Sequence, residues 1–99
     1  MPYAIRRVDR NQPDVFAYMR AHGALVHPTH TLGKGFPDCC VNWRGRIYLF
    51  EIKDPEQAPS RRVLTPDEQA FMSNWNECGQ TVFVVHSGEE AMQILRANS

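Results

Sequence analysis

Ninety-nine residues of zero net formal charge, 42% apolar and with two tryptophans, predict one folded domain with a modest core rather than a disordered tail. No apolar run nears the ~20 residues that span a bilayer, and the polar, basic stretch Met1 to Arg10 lacks the apolar segment of a signal peptide, so a soluble cytoplasmic protein is expected. The neutral total hides an asymmetry, +4 over residues 1–62 and −4 over residues 63–99, which suits a polyanionic partner and equally suits ordinary scatter of surface charge.

The first helix is predicted to open at Pro13, where a missing N–H costs nothing. Val15, Phe16 and Met19 form its apolar stripe and Gly23 stops it. A short strand follows from Ala24 to His27, then a loop to Phe36. The strands Cys39 to Trp43 and Arg46 to Lys53 are joined at Arg44-Gly45 as a hairpin. A second loop, Asp54 to Val63, carries Pro55, Pro59, Arg61 and Arg62. Thr65-Pro66-Asp67-Glu68 is a capping box opening a helix that runs to about Cys78 and stops at Gly79. That helix is expected to bury Phe71, Trp75 and Cys78. Thr81 to Val85 is a buried strand, and Ser87 with Glu90 is a second capping box. The last helix is expected to bury Ala91, Ile94 and Leu95. The order α-β-β-β-α-β-α, with one hairpin and one helical crossover, predicts an α/β fold with a mixed β-sheet flanked by helices.

Cysteine usage narrows the chemistry. Cys39 and Cys40 adjoin and Cys78 is distant, so no zinc spacing exists and an odd count argues against a disulfide scaffold. All three are expected to act as small buried hydrophobes. The rival use is a cysteine hydrolase built on Cys39 or Cys40 with His27, His30 or His86 as base.

The strand Arg46 to Lys53 places Glu51 and Lys53 on the face of Ile47 and Leu49. Taken alone, that pair reads also as an ion pair at the strand's end. Across the hairpin, however, residues summing to about 89 should pair, which sets Asp38 opposite Glu51. Two like charges there are destabilising, unless they share a divalent cation such as oxygen ligands favour. Lys53 beside them would orient a water or offset charge building on a phosphate, as phosphodiester hydrolysis requires.

Pro37-Asp38, twelve residues, then Glu51-Ile52-Lys53 resembles the PD-(D/E)XK nuclease motif. Gly33-Lys34-Gly35, the Arg44-Gly45-Arg46 turn, Leu64-Thr65-Pro66 leading to Gln69, Gly79, and the Val82 to Ser87 strand with Glu89-Glu90 extend the likeness. Over residues 11–96 of a single domain spanning 1–99, the chain resembles the small stand-alone virus-type replication-repair nuclease (VRR-NUC) domains of bacteriophages and prophages. The resemblance implies a restriction-endonuclease-like αβββαβ core and a DNA endonuclease dependent on Mg²⁺ or Mn²⁺. It implies Asp38, Glu51 and the Ile52 backbone carbonyl as metal ligands, Lys53 as the catalytic lysine, and Gln69 near the site. It also implies an acid on the first helix, for which Asp14 and then Asp9 are candidates, with Asn11 and Gln12 nearby. Lys34, His30, Arg44, Arg61 and Arg62 are the expected DNA contacts. Small members of that family suggest a homodimer acting on branched or Holliday-junction-like DNA in a bacterial cytoplasm. The competing expectation is a non-catalytic nucleic-acid-binding phage accessory protein of the same fold.

Overall fold

A computed structural model describes residues 10–57, 59 and 63–99. The chain runs α1 (Gln12–Ala21), β1 (Leu25–Pro28), a 3₁₀ turn (His30–Leu32), β2 (Cys39–Trp43), β3 (Arg46–Ile52), α2 (Pro66–Glu77), β4 (Val82–Val85) and α3 (Gly88–Ala97). The four strands form one sheet in the order β1-β2-β3-β4. Its first two pairs are antiparallel and β3–β4 is parallel. The predicted α/β class and element order are therefore both present.

The hairpin holds the sheet in register. Arg44 and Gly45 both take positive φ, at 53° and 82°, as a two-residue turn matched to strand twist requires. Cys39 then pairs with Phe50 and Trp43 with Arg46, so paired residues do sum to 89. One face of the sheet carries Cys39, Val41, Tyr48, Phe50, Ile52 and Val85 into the core, under α1 and α3. Val15, Phe16 and Met19 of α1 lie there as expected. In α3 the buried set is Gly88, Ala91, Met92 and Leu95, with Ile94 only packed at the margin.

Several expectations shift. The α1 helix starts one residue early, at Gln12, and β1 starts one residue late, at Leu25. Ser87 caps α3 by accepting from the Glu90 amide (3.1 Å), but Glu90 returns its carboxylate to the amide of His86 (2.6 Å), one residue before the cap. The larger correction concerns α2, which buries no residue. Phe71 is half-buried, while Trp75 and Cys78 are exposed. The apolar stripe is real, but its aromatic partner is one loop residue, and the helix touches the sheet only lightly, at β4. Phe36 meets Phe71 edge-on at 5.0 Å between centroids and Trp75 at 6.1 Å. The cysteines split likewise: Cys39 is buried, Cys40 intermediate and Cys78 exposed. Among the described residues no helix is long and apolar enough to cross a membrane.

Candidate active site

The site forms where β2 begins and β3 ends. Pro37 and Asp38 are fixed from the β1 side: the Thr29 amide donates to the Asp38 carbonyl (2.8 Å), and the Thr29 hydroxyl donates to the Pro37 carbonyl (2.8 Å). The Asp38 side chain then crosses to β3, where its Oδ2 accepts the Ile52 amide at 2.8 Å. That bond turns the carboxylate toward the Glu51-Ile52-Lys53 segment. Glu51 and Lys53, two residues apart, share the opposite face from the core. Lys53 Nζ lies 3.5 Å from Glu51 Oε2 and 3.0 Å from Glu68 Oε1. Asp38, Glu51 and Lys53 are all buried.

Burial governs the charge states. It pushes the Glu51 carboxyl up to about 10, helped by the neighbouring Asp38 charge and by Glu68. Burial also raises Asp38, against the lowering effect of the Ile52 amide. Glu68 goes the other way: burial lifts it, but hydrogen bonds from Glu51, the Thr65 amide and Lys53 outweigh that and hold it below its ordinary value. Without a cation, burial and the neighbouring Asp38 and Glu68 carboxyls thus favour the protonated form of Glu51. Two facing, mostly desolvated carboxylates are a poor arrangement by themselves and a good donor set for a hard divalent cation. Among the described residues no three His, Cys, Asp or Glu side chains are grouped as a ready-made metal cage.

The other expected site residues scatter. Gln69 is exposed, its amide on the Leu64 carbonyl at 3.3 Å; the residue that α2 brings to Lys53 is its neighbour Glu68. Asp14 is exposed and borders a cleft with Tyr18, His86 and Glu89. Asp9, Arg61 and Arg62 lie outside the described residues. Arg44 stacks on Trp43 at 4.9 Å, at the hairpin end, ~20 Å of strand away from Lys53. Lys34 is exposed between Gly33 and Gly35. His30 is half-buried with Nδ1 3.2 Å from the Gln12 amide nitrogen. The cysteine alternative gains nothing, because burial pushes the Cys39 thiol far up and the Cys40 thiol up as well, away from the reactive thiolate.

Two contributions go beyond the sequence reading, which places Asn11 only beside the candidate first-helix acids and Glu68 only in a capping box. Asn11 places its amide nitrogen 3.0 Å from the His86 carbonyl and 3.3 Å from that of Lys53, so the start of α1 joins the ends of β3 and β4. Glu68 was visible as a capping residue, and that role is what carries it into the site: its Oε1 accepts the Thr65 amide at 2.9 Å.

The fold is a mixed four-stranded sheet with helices packed on it, and the acid–amine cluster lies at one end of its central strands. A solved structure described as a "VRR_NUC domain" is similar to this chain with a TM-score of 0.62 and 26% identity, across 87% of this chain and 95% of that one. The fold is thus VRR-NUC nuclease-like. No family model and no curated relative matches the chain.

Proposed function

We propose that the chain is a divalent-metal-dependent DNA endonuclease with Asp38, Glu51 and Lys53 as its centre. The observation that carries this reading is the convergence of two buried carboxylates and a buried amine at one end of a VRR-NUC-like sheet. Asp38 and Glu51, with the Ile52 carbonyl, would hold Mg²⁺ or Mn²⁺. When bound, such a cation supplies acidity to water and offsets charge on the phosphate. The Ile52 amide holds the Asp38 carboxylate in place, and Glu51 would have to present an ionised carboxylate to hold such a cation. Lys53 aligns the attacking water and stabilises the negative charge that grows on the phosphoryl oxygens. The water oxygen bonds to phosphorus and loses a proton, one P–O ester bond breaks, and the departing oxygen takes up a proton in its place, leaving a phosphomonoester and a hydroxyl end.

Lys34 and His30, on the segment that leads into Asp38, together with Arg61 and Arg62, serve as contacts to the DNA backbone. By analogy with the small VRR-NUC domains the chain resembles, the proposed substrate is branched DNA and the proposed working unit a homodimer that places two sites for paired cuts.

Purified protein is incubated with linear, single-stranded, flapped and four-way DNA, with Mg²⁺ and with EDTA, beside Asp38→Asn and Lys53→Ala. Cleavage that needs the metal and both side chains supports the reading. No cleavage of any substrate, with binding retained, would favour an accessory DNA-binding protein.

A further inference from the structure

We propose that Glu68 is a positioning residue for Lys53, so that the capping box of α2 also sets the amine of the site; the inference rests on the nuclease reading. The ion pair of Lys53 to Glu68 is shorter than that to Glu51, 3.0 Å against 3.5 Å. A lysine ammonium sits on a flexible four-carbon stem, and its position is only as fixed as its partners. Glu51 is a shifting partner, because it is also half of the carboxylate pair that a cation would engage. Glu68 is a constant one. Its Oε1 accepts the Thr65 amide at 2.9 Å, its own amide donates to Thr65 Oγ1 at 3.2 Å, and the carboxylate lies in the first turn of α2, where helix polarity favours negative charge.

The helix is seated where this requires. Gly35 has φ +80°, and a Cβ there would run into the Asp67 carbonyl, so the loop backbone lies directly against the first turn of α2. One residue on, Phe36 packs on Phe71 and Trp75, and two residues after that comes Asp38. A single short segment therefore fixes both Asp38 and the helix end that carries Glu68. Lys53 keeps an anchor when Glu51 changes partner, because Glu68 belongs to a helix cap.

Glutamine fills the same capping-box position as glutamate, which separates the two roles. Lys34 and Lys53 are the two lysines of the chain, and exposed Lys34 is an internal reference for amine labelling read by mass spectrometry. In the parent protein Lys53 should label at least tenfold more slowly than Lys34. In Glu68→Gln, Lys53 labelling should rise several-fold with Lys34 unchanged. The thermal midpoint should stay near that of the parent, and kcat at saturating Mg²⁺ should fall about tenfold with KM for DNA within twofold. In Glu68→Ala the midpoint should drop as well. Unchanged Lys53 labelling in Glu68→Gln overturns the proposal. So does a kcat loss confined to Glu68→Ala that tracks its midpoint. If the parent protein cleaves nothing, the nuclease reading falls and the catalytic role of Glu68 with it, while the labelling still decides whether Glu68 holds Lys53.

Discussion

Asp38 reaches across the β2–β3 pair to accept the amide of Ile52 at 2.8 Å, the residue that lies between Glu51 and Lys53. One side chain thereby joins the two strands beyond the last ladder pair and aims its carboxylate at the cluster. Asp38→Asn retains an oxygen that can accept the Ile52 N–H and removes the charge. Its melting curve should stay close to the parent's while cleavage falls at least a hundredfold. Asp38→Ala should also lose about 1–3 kcal/mol of stability, because a buried amide is left without an acceptor. Thermal melts beside the cleavage assay separate the two effects.

The proton on Glu51 has a thermodynamic signature. Its carboxyl titrates at about 10 in the folded chain, against an ordinary value of 4.5, so the native state binds more protons than the unfolded one between those limits. Stability from this group is full below pH 4.5 and is lost as pH rises toward 10. The metal-free midpoint should accordingly fall as pH goes from 5 to 9, and Glu51→Gln should flatten that slope. A divalent cation must displace the proton. Its affinity should therefore rise with pH, and calorimetry in buffers of different ionisation enthalpy should detect proton release. Affinity that is flat across this range would contradict the charge assignment.

Gly35 and Gly45 share nearly the same φ, +80° and +82°, in different surroundings. Gly45 faces open space, so Gly45→Ala should cost only the strain of a left-handed backbone, about 1–2 kcal/mol. Gly35→Ala adds a collision with the Asp67 carbonyl, should destabilise more, and should lower kcat by moving the first turn of α2. Equal melting losses for the two variants would show that α2 is not seated on this loop.

Lys34 is exposed and charged, on the segment that enters the site, and under the proposed function it would meet the DNA backbone. Lys34→Ala should raise KM several-fold, leave kcat alone, and reduce the slope of log affinity against log salt by about 1. Arg44→Ala, at the far end of β3, should change neither kinetic parameter by more than twofold.

The parts of the fold legible in the sequence are those set by local chemistry. Arg44-Gly45 fixed the hairpin register, which put Asp38 beside Glu51, and Thr65 with Glu68 marked the start of α2. What escaped depends on how helices rotate against the sheet. Gln12 and Asp14 stand two residues apart, about 200° around a helix, and the packing of α1 buries Gln12 and exposes Asp14. Gln69 and Glu68 differ by one residue and about 100°, and only the seating of α2 on Phe36 and Gly35 decides which meets Lys53. The burial of Trp75 failed for a related reason: periodicity reports that a helix has an apolar side, not how wide a partner it finds.

Asn11 spans the carbonyls of Lys53 and His86, two points where a parallel strand pair would otherwise fray. Strand ends ordinarily trade their amide hydrogens with solvent quickly. Here the Lys53 amide, bonded to the Val85 carbonyl at 2.9 Å, should exchange as slowly as amides in the middle of β3. Asn11→Ala should speed that one site while leaving Phe50 unaffected. The stiffness of the chemical centre would then originate in the first residues of a helix on the other side of the sheet.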